Sequence, residues 1–151
     1  MSVYLRPTCM AVFGLAVACV GATAAAPSEV VNVPLAAAPQ NAGKVAVATM
    51  VPTGESSTEV VVFVSGLPSQ VSYPARLYTY IYPGTCGNLE SKPAFDLNKR
   101  VKLGELVPSR MWKTVPVSMT ELRSSQYAIV LRTSPADGFV NVFCGNITRA
   151  G

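Results

Sequence analysis

An antiparallel β-sandwich or flattened barrel, with Greek-key connections, about seven or eight short strands and one internal disulfide, is the fold class this sequence predicts. Valine is abundant and long Ala/Leu/Glu/Lys runs are absent after residue 30, a composition that suits pleated strands better than helices. Twelve prolines and eleven glycines in 151 residues make turns frequent. Several short apolar stretches alternate with period two, and nothing reads as a long helix.

The chain begins with a leader. Arg6 is the only charge before Glu29, Met10 to Gly21 is apolar, and Ala22-Thr23-Ala24-Ala25-Ala26-Pro27 follows. A positive start, a short apolar run and a small-x-small site describe a secretory signal peptide over residues 1–24, cleaved after Ala24. The run is shorter than the ~20 residues a bilayer span needs, and no later segment reads as a membrane helix. Ala16-Val17-Ala18-Cys19 is a poor lipobox, with Ala where Leu is usual, so no lipid anchor at Cys19 is expected. These features place the mature chain in the periplasm or outside the cell.

Residues 25–42 carry one charge, Glu29, and are expected as an extended N-terminal segment, either a tail or a loosely paired strand from Glu29 to Leu35. The sandwich domain is expected over 43–151. Gly43 to Val51 alternates and reads as its first strand; Pro52 to Ser57 is a turn. Thr58 to Val64 is so rich in β-branched residues that both faces are expected to be covered. Pro74 to Tyr82 places Arg76, Tyr78, Tyr80 and Tyr82 on one face and Ala75, Leu77, Thr79 and Ile81 on the other, the natural core face. Residues 87–100 form a loop with weak strand character at Ala94 to Leu97, and Lys102 to Val107 is a further short strand. Trp112 to Val117, interrupted by Pro116, reads as an edge strand. Ser118 and Glu121 have capping-box spacing ahead of one helical turn, Leu122 to Ser125. Gln126 to Thr133 is a strand, Pro135 to Gly138 a turn, and Phe139 to Cys144 pairs back as a hairpin. Asn146-Ile147-Thr148 fits a glycosylation acceptor and is read as a strand end.

Cys9 and Cys19 belong to the leader, which leaves Cys86 and Cys144. In an exported chain two cysteines most simply form one disulfide, with a free thiol pair or a two-cysteine metal site as alternatives. There is no histidine, so the usual tetrahedral zinc sets cannot be completed and no Ser-His-Asp or Cys-His arrangement exists. P-loop, dinucleotide and Gly-x-Ser-x-Gly motifs are absent. Net charge is +4, falling to +3 without Arg6, and the densest basic group is only Lys99, Arg100 and Lys102, so nucleic acid is not an expected partner. Glu90, Asp96 and Asp137 lie in or near loops and are read as surface acids, a glycosidase-like pair being the alternative. Met50, Met111 and Met119 are dispersed and read as core side chains, with soft copper(I) ligation as the alternative.

The runs Val64-Ser65-Gly66-Leu67-Pro68, Tyr80-Ile81-Tyr82-Pro83-Gly84-Thr85-Cys86, Tyr127 to Arg132 and Cys144-Gly145-Asn146-Ile147 occur in one order over residues 43–149. In that order they resemble the copper/zinc superoxide dismutase-like family, including its CHRD-type relatives. The resemblance implies a Greek-key β fold and pairs Cys86 with Cys144. It places Tyr80 and Tyr82 where the family has a His-x-His pair, and Arg132 where it has a later histidine. Copper and zinc take neutral imidazoles or thiolates, phenols are poor substitutes, and a guanidinium cannot deprotonate to bind a metal. The resemblance therefore implies the scaffold without the activity. The expected function is that of a non-catalytic, disulfide-stabilised binding module with no cofactor. Tyr78, Tyr80, Tyr82 and Arg132 form its candidate surface for a protein, peptide or glycan. The alternative is a dismutase-like metal-binding protein that uses other ligands.

Overall fold

The computed structural model describes residues 29–98 and 110–148. The signal peptide, Cys19, the strand expected at Lys102 to Val107 and the basic group at Lys99, Arg100 and Lys102 lie outside the described residues.

The strands are β1 (Val31–Ala37), β2 (Ala46–Pro52), β3 (Thr58–Val64), β4 (Tyr78–Thr85), β5 (Asn88–Leu89), β6 (Phe95–Asp96), β7 (Arg110–Val115), β8 (Tyr127–Arg132) and β9 (Asn141–Ile147). Every pairing is antiparallel, and the spatial order is β5-β4-β8-β9-β1-β2-β3-β7, with β6 beside β4. β1, β2 and β3 form a meander, and β9, the last strand, lies on the other side of β1. The sheet curls into a half-barrel around one core, the flattened-barrel form of the expected class. Cys86 and Cys144 are joined by a disulfide, 58 residues apart in sequence.

The one α-helix among the described residues, α1 (Met119–Ser124), begins directly after its cap Ser118, ahead of the turn expected from Leu122. Ser118 Oγ accepts a hydrogen bond from Glu121 N at 3.1 Å, satisfying one of the orphan amides at the helix start. Met119 and Leu122 face the core, because a helix this short is held by its buried side rather than by its own hydrogen bonds.

The core is built by period-two alternation. Val31, Val33 and Leu35 of β1, Ala46, Ala48 and Met50 of β2, and Val60, Val62 and Val64 of β3 all point inward. Leu77, Thr79 and Ile81 do the same from the second half of the sheet, as expected of that face, although the strand itself begins only at Tyr78. Met50, Met111 and Met119 are all buried in this core.

Two segments differ from expectation. β3 is covered on one face only: Phe63 is 43% exposed, and Val61 beside it is half-buried. Its outer neighbours include Trp112, paired with Val61 and 57% exposed. A continuous β-branched run did not distinguish a two-sided strand from a one-sided one, because valine is accepted on either face. The residues ahead of 43 are more than a tail. β1 pairs with β2 through Val31 to Leu35 and with β9 through Ala36 and Ala37, so it is the strand that carries the sheet from one half to the other. Pro34 lies in the stretch that, among the described residues, pairs with β2 alone, where a residue lacking N–H is tolerated.

The expected edge position of the tryptophan strand is found. Among the described residues β7 is the last strand beside β3, and it ends at Val115, before Pro116. Lys113 points inward from this edge and is 5% exposed.

Where β1 crosses onto β9, the backbones come very close. A Cβ on Gly145 would meet Leu35 Cδ2 and the Pro34 carbonyl oxygen at 2.5 Å. Only a residue without a side chain permits that approach. Gly145→Ala is expected to lower stability by about 1–3 kcal/mol, the usual cost of overpacking a rigid contact. A shift of the urea midpoint at unchanged slope would show it. Removing the disulfide in a Cys86→Ser/Cys144→Ser variant is expected to cost up to ~4 kcal/mol by loop entropy, read as the fall in the same midpoint.

Candidate functional site

The outer face of β6, β4, β8, β9 and β1 carries the candidate residues, and strand register sets them in rows. Directly opposed residues share a face. One row runs Asp96, Tyr80, Val130, Cys144, Ala36. The next runs Tyr82, Ala128, Asn146, and the row on the other side pairs Tyr78 with Arg132. Sequence parity thus places Tyr78, Tyr80, Tyr82 and Arg132 on one face, and the structure brings all four together.

This face has its own cover at one end. β4 and β5 form a hairpin with Cys86 and Gly87 at its tip. From there Cys86 reaches back over β8 to Cys144 on β9. Its backbone N–H also donates to Asn146 Oδ1 at 2.8 Å. Gly84 makes the bend with φ +97°, where a Cβ would lie 2.3 Å from the Asn88 carbonyl oxygen. Ala128 and Val130 lie under this cover and are fully buried, although they are on the outer face. Tyr82 is also buried, at 4% exposed, so it supports the site from within, whereas Tyr78 and Tyr80 remain partly exposed.

At the open end a cationic group is held among rings. The Arg132 guanidinium carbon lies 4.9 Å from the Phe139 ring centroid, 5.2 Å from that of Tyr82 and 5.9 Å from that of Tyr80. Each such contact contributes ~0.5–1 kcal/mol near a surface and more when water is excluded. Phe139 also meets Tyr78 and Tyr80 edge-to-face, at 6.2 and 5.8 Å between centroids. Arg132 Nε donates to Asn141 Oδ1 at 2.6 Å, which fixes the plane of the fork. Among the described residues the guanidinium makes no other hydrogen bond and no ion pair.

Phe139 and Asn141 are the members of the site that sequence reasoning missed. The signal was present in the hairpin: Arg132 pairs with Asn141, so the chain leaving Gly138 had to return beside Arg132. Phe139 takes φ +52°, a left-handed conformation that disfavours a bulky side chain by roughly 1–2 kcal/mol. Its turn is closed by Phe139 N donating to the Ser134 carbonyl at 3.0 Å and Thr133 N donating to the Val140 carbonyl at 3.0 Å.

Asp137, considered above as one of the loop acids, anchors this turn. It accepts from Ser134 Oγ at 2.6 Å and from the Ser72 backbone N–H at 2.9 Å, tying the 68–76 loop to the Phe139 turn. The hydrogen bonds from Ser134 and Ser72 hold its carboxyl below the ordinary value of 3.8. Asp96 accepts from the Asn98 backbone and side chain at 2.8 Å, and Asn98 in turn caps Thr79. Glu90 is exposed.

The Tyr80 phenol is raised above its ordinary value of 10.0. Burial is the main cause, Asp96 and Tyr82 push the same way, and Arg132 opposes them. The positions at which the resemblance puts imidazoles thus hold two phenols and, beside their rings, a permanent cation. That donor set does not fit copper or zinc, because a metal would need to displace or sit against the guanidinium. Among the described residues no group of three or more His, Cys, Asp or Glu side chains is placed to hold a metal ion.

Because the Asp137 carboxyl is held low in the folded state, its contribution to stability is complete above about 3.8 and is lost as pH falls through its lowered value. Asp137→Ala is therefore expected to speed hydrogen exchange at the Ser72 amide at neutral pH. Once the slower intrinsic exchange in acid is corrected for, lowering the pH through the carboxyl's depressed value should reduce the Ser72 amide's protection factor in the native chain and add nothing further in the variant, as followed by NMR. Comparison of the chain with protein-family models, with curated proteins and with solved structures found no match.

Proposed function

We propose that the protein is a non-catalytic, exported binding module that engages its partner through the outer face of β4, β8 and β9. The observation that carries this reading is the assembly of Tyr78, Tyr80, Arg132 and Phe139 into one partly exposed, ring-walled cluster on a rigid sheet. Aromatic and arginine side chains are the residue types on which binding energy concentrates. The sequence resemblance puts phenols and a guanidinium at dismutase-like ligand positions, which is consistent with recognition having replaced metal chemistry.

Export is supported by the apolar leader with its small-x-small site and by the disulfide, which persists in oxidising compartments. No described helix is long and apolar enough to cross a membrane. The partner is a protein, peptide or glycan rather than nucleic acid.

A Tyr78→Ala/Tyr80→Ala variant tests the surface without emptying the buried Tyr82 position. Wild type and variant, matched for circular dichroism, are used to capture partners from envelope and culture extracts. A partner held by the wild type and lost by at least tenfold in the variant is the expected result. Equal capture by both, or stoichiometric copper or zinc in the purified protein, overturns the reading.

A further inference from the structure

We infer that the outward edge of the Arg132 guanidinium is a receptor for a single carboxylate supplied by a polypeptide partner. The inference rests on the binding reading above and names the chemistry of that site. Arg132 is half-buried, fixed in plane by Asn141 and flanked by the rings of Tyr80, Tyr82 and Phe139. Its Nε is used, whereas both Nη groups lack a hydrogen-bond partner among the described residues. Neither Nη is sealed from water, since the sealed and unbonded polar side-chain atoms among the described residues are Asn41 Nδ2 and Oδ1 and Thr79 Oγ1. An ordered fork with two free N–H edges matches the two oxygens of a carboxylate. The surrounding rings lower the local dielectric, so the pair gains more here than on an open surface.

Two further observations narrow the ligand. Asp96 stands opposite Tyr80 on the same face, close enough to help raise the Tyr80 phenol. A carboxylate on the same face disfavours extra negative charge on the ligand, which favours a monoanion over a phosphate dianion. Beside the fork, Phe139 and Val140 are 37% and 42% exposed. An aliphatic and an aromatic neighbour suit an acidic residue followed by an apolar side chain, and offer a polar sugar acid little.

The probes are the blocked dipeptides acetyl-Glu-Leu-amide and acetyl-Gln-Leu-amide, methyl glucuronide and methyl phosphate, titrated into the purified full chain by NMR. The acid dipeptide is expected to shift the Arg132 Nε, Phe139 and Val140 signals and to bind roughly tenfold more tightly than its amide. Its affinity should fall with added salt. Arg132→Met should abolish the acid-over-amide preference, Arg132→Lys should retain only part of it, and Asp96→Asn should strengthen it.

Equal binding of acid and amide by the native chain overturns the inference without needing any variant to fold. Tighter binding of the glucuronide or the phosphate overturns the polypeptide assignment. If the dipeptides fail while the Tyr78/Tyr80 variant still loses its partner, the surface stands and the carboxylate does not. If that variant keeps its partner, the surface itself is wrong.

Discussion

The crossing of β1 onto β9 is the contact on which the rest of this structure depends. A sheet that curls into a half-barrel needs one strand to serve both halves, and β1 does so by changing partner between Leu35 and Ala36. The crossing is possible because Gly145 offers no side chain to Leu35 and the Pro34 carbonyl. Its neighbour Cys144 points to the opposite face and anchors the β4–β5 hairpin. Two adjacent residues on one strand therefore control both layers, the inner one through absent volume and the outer one through a covalent bond.

That arrangement explains why the outer face can carry a cluster of rings without collapsing onto it. Ala128, Val130 and Tyr82 are buried on this face, giving it a small packed layer of its own. Tyr80 and Arg132 rest against this layer, and Phe139 closes the cluster from a turn pinned by Ser134 and Asp137. The left-handed backbone at Phe139 is offset by the contacts its ring makes. Rigid placement of this kind lowers the ordering cost of recognition, which is the main reason that a small polar and aromatic surface can bind at all.

How much of this was legible beforehand follows from which signals are local. Strand alternation put Tyr78, Tyr80 and Tyr82 opposite Leu77, Thr79 and Ile81, and that division is present in the fold. Helix capping at Ser118, the edge position of the tryptophan strand and the pairing of Cys86 with Cys144 were legible for the same reason, since each rests on a short pattern or on counting. Covering of faces was not. Valine in β3 reads the same whether or not something lies above it, and nothing in Tyr82 marks it as buried while Tyr80 is partly open. Those outcomes are decided by which segments the tertiary fold lays over each face. The central place of β1 was missed because Pro34 and the alanines around it weaken its strand signature. Phe139 was hidden by its turn, whose conformation sequence preference alone argues against.

Trp112 is the chain's one tryptophan, and it lies on the outside of the half-barrel at 57% exposure. Its indole is therefore already largely hydrated in the native protein, and its emission will change little when the core opens. The tyrosines near Arg132 are the better optical reporters of the folded chain, because their near-ultraviolet dichroism depends on the asymmetric packing of neighbouring rings.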